Sequence, residues 1–157
     1  MDDTPLPAAD SALPRVLEML ELFNAADMST NLGAIGAHFR DDATYQPLAP
    51  QSRVFHGKAA IVEELGRHAL RYRNCICEVH AAAASRDHVF TERTDTVTQL
   101  RDGSTTVVQV VGVFEVDGDG LVRAWREYWD PVAAARQMGI AADDILAALG
   151  AAASSAT

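Results

Sequence analysis

The sequence predicts an α+β domain in which helices come first and a four-stranded antiparallel meander follows. Apolar residues recur at helical spacing in the N-terminal part, whereas from residue 74 onwards they alternate with polar ones in successive runs. The last two joints between these runs carry Asp-Gly pairs, which are the strongest short signal for a hairpin. This order places the helices on one face of a sheet that curls around a pocket.

The N-terminal part predicts two helices before the first strand. Apolar positions at helical spacing over residues 11–26 indicate an amphipathic helix, with Pro14 tolerated in its first turn. A shorter helix is predicted over residues 30–38. Asp41 and Asp42 then indicate a turn.

The remaining elements form the sheet, a third helix and a C-terminal helical segment. Short strands are predicted over 43–46 and 53–56, and a helix over Lys58–Ala69. The meander is predicted over residues 74–84, His88–Gln99, Thr105–Val116 and 121–130, and short helices over 132–138 and 143–149. Both faces of Thr105–Val116 are apolar, so we expect helices to cover one face and a second subunit the other.

Length and charge indicate one domain that is not built for nucleic acid or membranes. Residues 11–149 are expected to form the domain, and residues 1–10 and 150–157 are expected to be disordered. The net charge of −9 would repel a phosphate backbone and an anionic membrane surface. The acidic N-terminus has no signal-peptide pattern, and no apolar run could span a bilayer. We therefore expect a soluble, cytoplasmic protein.

The sequence gives no support for a cofactor or a metal ion. Cys75 and Cys77 stand two residues apart on one predicted strand, where they cannot easily bridge each other, and they fit a reducing compartment. The five histidines are scattered singly, without the spacing of metal ligands, so we interpret them as packing or surface residues. No glycine-rich phosphate loop, nucleophile elbow or HExxH motif occurs.

The strand 121–130, which reads LVRAWREYWD, is the most informative stretch of the chain. Alternation puts Leu121, Arg123, Trp125, Glu127 and Trp129 on one face. A carboxylate between two indole rings loses hydration, which raises its pKa towards the range of acid–base catalysis. The alternative is a solvated Glu127 on a half-exposed face, with tryptophans that only pack.

A second strand brings two more charged groups into the same pattern. On the strand His88–Gln99, Arg93 and Asp95 point to the same side. If that side is the one that carries Glu127, a guanidinium lies between two carboxylates, and its planar fork can bind both. Burial of such a trio in an apolar cup is costly and indicates either chemistry or a structural network.

Three motifs resemble the limonene epoxide hydrolase family of the nuclear transport factor 2-like, or SnoaL-like, superfamily. They are TERTD at 91–95, VVGVFEV at 110–116 and WREYWD at 125–130, and the resemblance runs from about Leu13 to Asp130. It implies a cone-shaped, strongly curved mixed or antiparallel sheet with the N-terminal helices packed on its concave side. It also implies a homodimer formed across the outer face of the sheet.

The resemblance also implies roles for individual residues. Asp95 would be the general acid that protonates the epoxide oxygen, and Glu127 the general base that takes a proton from the attacking water. Arg93 would orient and bridge the two carboxylates. Four further positions match residues that line the family's apolar pocket, namely Val108, Val110, Trp125 and Trp129.

Two departures from the family's pattern bear on the reaction. The base is Glu127 where the family has Asp, and misplacing a catalytic group by about 1 Å can lower the rate on the order of a hundredfold. The family holds water with a Tyr and an Asn, which here become Tyr45 and Pro47. Proline has no side-chain amide, and Gln46 points to the opposite face. Either Glu127 and Tyr45 hold the water, or the site no longer uses water.

We therefore expect a cofactor-independent epoxide hydrolase that converts a small apolar epoxide and water into a vicinal diol. The first alternative is an epoxide-opening cyclase, in which a hydroxyl of the substrate replaces water. The second is an isomerase that uses Asp95 or Glu127 to move a proton on a polyketide-type or terpenoid-type substrate. A third is a small-molecule binding or partner-docking module on the same cup.

Overall fold

The structure is a computed structural model that describes residues 9–150. The helices are α1 (Ala9–Glu21), a 3₁₀ segment (Met28–Asn31), α2 (Leu32–Gly36), α3 (Lys58–Ala69), α4 (Pro131–Met138) and α5 (Ala142–Ala148). The strands are β1 (Phe39–Gln46), β2 (Phe55–His56), β3 (Tyr72–Ser85), β4 (His88–Gln99), β5 (Thr105–Val116) and β6 (Val122–Tyr128). Within the described range, no helix is both long and apolar enough to cross a membrane.

The six strands form one mixed sheet in the order β2-β1-β6-β5-β4-β3. Strands β3 to β6 form the predicted antiparallel meander, and β1 joins it by pairing in parallel with β6. Helix α1 packs against β3 and β4, so the N-terminal helices cover the inner face of the sheet. The predicted α+β fold class is therefore confirmed.

The alternation of β5 separates the core from the outer face. Val110 and Phe114 are buried on the inner face, whereas Val107 and Val111 on the outer face are 43% and 44% exposed. Phe114 belongs to a core cluster that also contains Val16 of α1. Residues 9–150 thus bury the inner apolar face of β5 and leave Val107 and Val111 on its outer face partly exposed.

The prediction of a turn at Asp41 and Asp42 was wrong. The predicted helix over 30–38 is a 3₁₀ segment followed by a short α2, and β1 already starts at Phe39, which is fully buried. The pairing of β1 with β6 shifts register between Phe39 and Thr44, so the two exposed aspartates lie on an irregular stretch inside the strand. An acidic pair on such a stretch has the same sequence signature as a turn.

The predicted alternation also failed at the start of β6. Val122 is buried and Arg123 is exposed, the reverse of the expected pattern, because the pairing of β5 with β6 shifts register between Glu115 and Val116. Arg123 forms an ion pair with Asp87 away from the inner face. The expected pattern holds from Trp125 onwards.

The predicted start and end of the first helix both need correction. Helix α1 begins at Ala9 rather than at residue 11, so Pro14 lies inside the helix and not in its first turn. The helix also ends earlier than predicted, at Glu21 rather than near residue 26. The expectations for residues 1–8 and 151–157 lie outside the described residues.

Candidate functional site

A cavity of about 650 Å³ opens on the inner face of the sheet. Its walls come from α1, α3, β1, β3 to β6 and the two C-terminal helices. The cavity brings together all of the predicted site residues, which are Tyr45, Pro47, Arg93, Asp95, Val108, Val110, Trp125, Glu127 and Trp129. Residues from four strands or strand ends, far apart in sequence, thus meet around one space.

Arg93 joins the two carboxylates that the sequence pairs with it. Its Nε donates to Asp95 Oδ1 at 2.9 Å and to Oδ2 at 3.2 Å, and its Nη2 donates to Glu127 Oε1. Arg93 is 3% exposed and Glu127 is 8% exposed, whereas the Asp95 side chain keeps 24% of its surface open. The guanidinium is therefore the buried centre of the trio, and Asp95 is the member whose side chain is most exposed.

Strand register sets this geometry. In the β4–β5 ladder Arg93 is paired with Val110 and Asp95 with Val108, while Gly112 is paired with Glu127 of β6. A Cβ atom at position 112 would lie only 2.8 Å from Arg93 Nη1. The missing side chain of Gly112 therefore gives Arg93 room to reach Glu127 across the intervening strand.

Burial and neighbouring charges shift the pKa values of Glu127 and Arg93. Burial raises the pKa of Glu127, the Asp95 carboxylate raises it further, and the Arg93 guanidinium opposes both effects without cancelling them. Burial disfavours the charged form of Arg93, but the two carboxylates outweigh it and raise the pKa of Arg93. The site thus combines a permanent cation with a carboxyl group that binds its proton more tightly than an ordinary glutamate.

Tyr45 and Trp125 form the rigid inner wall. They are paired in the parallel β1–β6 ladder, and their ring centroids lie 4.4 Å apart. Trp125 also packs against Phe114 at 5.4 Å and Phe39 at 6.0 Å. Burial and the nearby Glu127 charge raise the pKa of Tyr45 well above its ordinary value, so its hydroxyl keeps its proton.

Pro47 lines the cavity next to Tyr45 but offers no polar side chain there. Its carbonyl accepts a hydrogen bond from Trp129 Nε1 at 2.7 Å. The Gln46 amide donates to the Pro50 and Ser52 carbonyls at 3.3 and 3.0 Å, so it is directed into the loop. Within residues 9–150, the single amide side chain that lines the cavity is Gln99, which donates to Thr106 Oγ1.

Sequence reasoning missed a whole wall of the cavity. Arg71, Arg73, Cys75 and Cys77 line it from β3 and the residue before that strand, although the sequence analysis interpreted the cysteines only as an unbridged pair that fits a reducing compartment. Both thiols are free, and burial raises the pKa of Cys75 to about 12. The spacing of two places Cys75 and Cys77 on one face, whereas a register shift between Arg73 and Ile76 interrupts the alternation before them, so the sequence held no such signal for Arg71 and Arg73.

His68 was also missed. It lines the cavity from α3, and its Nε2 lies 3.4 Å from Oε1 of the buried Glu64. Arg67 Nη1 donates to the other oxygen of Glu64 at 2.8 Å. The i, i+3 and i, i+4 spacing of these three residues on a helix could have indicated the cluster.

Similar proteins agree with this architecture. The SnoaL-like domain model matches residues 16–127 of the chain. A solved structure of an LEH-like epoxide hydrolase from M. tuberculosis is 25% identical and superposes with a TM-score of 0.68, covering 82% of this chain and 89% of that one.

A second solved structure shows the same fold with less sequence similarity. It is a hypothetical protein with a ketosteroid isomerase-like fold from Catenulispora acidiphila DSM 44928, in complex with trimethylamine. It is 22% identical, with a TM-score of 0.69, and covers 80% of this chain and 95% of that one. Because the family model spans most of the chain, including β4 to β6 up to Glu127, this protein belongs to the SnoaL-like domain family.

Proposed function

We propose that the protein is an epoxide hydrolase that adds water to an apolar epoxide in one acid–base step. The observation that carries this proposal is the buried Arg93, bonded to both Asp95 and Glu127 at the wall of a mostly apolar cavity. The similarity to the LEH-like epoxide hydrolase of M. tuberculosis supports the same reaction class.

Asp95 is the general acid in this mechanism. Its side chain is the most exposed of the trio, so it can reach an epoxide oxygen in the cavity. As the C–O bond breaks, the oxygen gains negative charge and takes the proton from Asp95. Arg93 lies next to the carboxylate that remains and stabilises its charge.

Glu127 is the general base. It takes a proton from water while the water oxygen forms the new bond to the epoxide carbon. The raised pKa of Glu127 makes it a stronger base than an exposed glutamate, and its bond to Arg93 favours the ionised form that must accept the proton. After the reaction Glu127 holds the proton that Asp95 has lost, so transfer of one proton between them restores the starting state.

Tyr45 orients the water in this proposal. Its hydroxyl stays protonated and lines the cavity with Glu127, so these two residues can bind one water molecule between them. Pro47 adds an apolar contact instead of the amide that the related hydrolases use. Val108, Val110, Trp125 and Trp129 supply an apolar surface for the body of the substrate.

The second candidate is an epoxide-opening cyclase, and Pro47 is the observation that favours it. A substrate hydroxyl that attacks the epoxide within the same molecule needs Glu127 and Asp95 but needs no site that holds free water. The Pro47 carbonyl is already engaged by Trp129, which leaves Tyr45 as the neighbouring donor for an oxygen nucleophile.

Labelled water separates the two candidates. We would incubate a panel of cyclic and aryl-substituted epoxides in ¹⁸O-water with the wild type, Asp95→Asn and Glu127→Gln. A hydrolase gives a diol that carries one label, and each variant lowers the rate by roughly 10² to 10⁴. Glu92→Gln on the exposed side of β4 is the matched control and keeps full activity.

Two outcomes of this experiment would contradict the proposed hydrolase function. An unlabelled ring product supports the cyclase, because the oxygen then comes from the substrate. Absence of turnover on every epoxide, from a protein that unfolds cooperatively, supports a binding role instead.

We also propose a homodimer formed through the outer face of the sheet. Val111 and Tyr128 are cross-strand neighbours on this face and are 44% and 43% exposed, which leaves apolar surface uncovered beside the exposed Val107. Light scattering should give twice the mass of the chain, and Val111→Asp should give the monomer. A monomeric wild type would contradict the proposal.

A further inference from the structure

The cavity has a cationic end that the trio does not explain. Alternate residues of β4 and the turn after it, from Arg93 and Asp95 to Gln99 and Arg101, line one wall. Arg71 and Arg73 line the adjacent wall. One continuous surface therefore runs from the acid–base trio past apolar side chains to a group of arginines.

The charge at this end is opposite in sign to that of the whole chain. Outside the trio, the charged side chains that line the cavity within residues 9–150 are Arg71, Arg73, Arg101 and Asp144, although the net charge of the protein is −9. Arginines that only balance the protein's own acidic groups would be expected to pair with them.

Two of these arginines, unlike Arg101, are not held in an ion pair within the described residues. Arg101 donates to the Met138 carbonyl at 2.5 Å and lies 3.4 Å from Asp102, so it ties the end of β4 to α4. Arg71 and Arg73 are exposed and form no ion pair with any residue in the described part of the chain. Their guanidinium groups remain available to a ligand in the cavity.

Strand register gives the separation between the arginines and the reacting groups. Arg73 is paired with Thr98, three residues beyond Asp95 along β4, which corresponds to roughly 10 Å at the rise of a strand. The Arg71 carbonyl accepts from the Leu100 amide, five residues beyond Asp95, or roughly 17 Å away. Leu70 and Leu100 line the same end and are 79% and 41% exposed.

We propose that Arg71 and Arg73 bind a carboxylate at the far end of the substrate, so that the preferred substrate is an epoxide on an apolar chain that ends in a carboxylic acid. This inference rests on the proposed hydrolase function. A guanidinium binds a carboxylate through two parallel hydrogen bonds, which fixes the orientation of the chain as well as its position. The apolar body then lies along Cys75, Val97 and Val108, and the epoxide reaches Asp95.

The first test compares acids with their neutral counterparts. Terminal-epoxide carboxylic acids of graded chain length and their methyl esters are assayed with the wild type and with the double variant Arg71→Gln/Arg73→Gln. We expect the wild type to prefer one range of acids over their esters, and the double variant to lose about tenfold of that preference because its kcat/KM falls more for the acids than for the esters. Arg136→Gln, on α4 and outside the cavity, makes a matched charge change and should have no effect.

The second test measures binding without turnover. A saturated fatty acid and the corresponding primary alcohol are titrated against the fluorescence of Trp125 and Trp129, both of which line the cavity. We expect the acid to bind about tenfold more tightly than the alcohol, and the double variant to remove this difference.

The two tests separate failure of the site from failure of the reaction. Equal binding of acid and alcohol by the wild type, or a preference that persists in the double variant, would overturn the carboxylate site even if epoxides are hydrolysed. Selective binding of the acid by a protein that opens no epoxide would support the site and reject the hydrolase.

Discussion

The Arg93 guanidinium occupies space that a side chain on Gly112 would need. A Cβ atom on Gly112 would lie 2.8 Å from Arg93 Nη1, 2.8 Å from Phe114 Cε2 and 2.9 Å from Thr91 Oγ1. Because Gly112 is paired with Thr91 on one side and with Glu127 on the other, it lies on the path from Arg93 to Glu127. Position 112 therefore needs glycine because Arg93 fills the space of a side chain, not because the backbone turns there.

Gly112→Ala should disrupt the trio. The added methyl group has no room unless Arg93 moves, and a displacement of about 1 Å can lower the rate on the order of a hundredfold. Overpacking should also lower the free energy of unfolding by about 1–3 kcal/mol. The control is Gly33→Ala, where no atom lies within 4 Å, and activity should not change. Full activity in Gly112→Ala would show that Arg93 does not need this path.

Glu127→Gln should change the pH dependence of stability in a characteristic direction. The pKa of Glu127 is raised in the folded protein, chiefly by burial, so the folded state binds its proton more tightly than the unfolded state. This group therefore contributes stability below its unfolded pKa, and the contribution is lost as pH rises through the folded pKa. Urea unfolding across that window should show the wild type losing stability relative to Glu127→Gln. A constant difference would mean that Glu127 is not perturbed.

Glu64→Gln should show the opposite dependence. Burial on its own would raise the pKa of Glu64, but hydrogen bonds and charge from His68 and Arg67 lower it overall. Glu64 therefore contributes stability above its unfolded pKa, which is lost as pH falls through the folded pKa. At neutral pH the variant should be less stable by about 1–3 kcal/mol, and the difference should shrink in acid. A difference that grows in acid would contradict this assignment.

Pro47→Asn should increase hydrolysis. The variant keeps the backbone carbonyl that accepts from Trp129 Nε1 and adds an amide beside Tyr45, where a nucleophilic water would lie. We expect a several-fold rise in the rate of labelled diol formation, which corresponds to about one added hydrogen bond. Gln46→Asn, whose side chain is directed into the loop, is the control. An unchanged rate would show that Tyr45 and Glu127 already hold the water fully.

Cys75 and Cys77 should resist alkylation in the folded protein. Burial raises the pKa of Cys75 to about 12 and that of Cys77 as well, so both thiols stay protonated at pH 8. Since the thiolate is the reactive form, iodoacetamide should modify Cys75 roughly 10³-fold more slowly than an unperturbed thiol. Fast modification under native conditions would show that the cavity wall opens. Unfolding in urea should restore the normal rate.

The strands that carry the trio could be predicted because their alternation is regular. Asp95 follows Arg93 by two residues on a strand whose predicted bounds are those of β4, so their common direction follows from the backbone alone. The parallel pairing of β1 with β6, which sets Tyr45 beside Trp125, joins residues far apart in sequence and has no local signal. The sequence analysis did not predict this pairing, and it placed Tyr45 in the site only through the resemblance to a known family.

The errors in the prediction come from irregular pairing. Register shifts next to Asp41 and next to Arg123 reverse the side to which a residue points, and the shift depends on the partner strand. The sequence analysis missed the arginines at the cationic end of the cavity for a different reason. Arg71 and Arg73 are exposed polar residues, and only the neighbouring strand end and the C-terminal helices make them part of a cavity.

The C-terminal helices and the sheet contribute different parts of the cavity. The reacting groups lie on the sheet at or before Glu127, whereas Met138, Ile140 and Ile145 close the cavity from α4 and α5 and from the connection between them. The matched family region ends at Glu127, so these helices lie beyond it. We expect a change in this segment to alter the length and width of the ligand that fits, while the proposed proton-transfer groups stay in place. If the proposed reaction is right, the last part of the chain can then be exchanged to change the substrate without a change in the reaction.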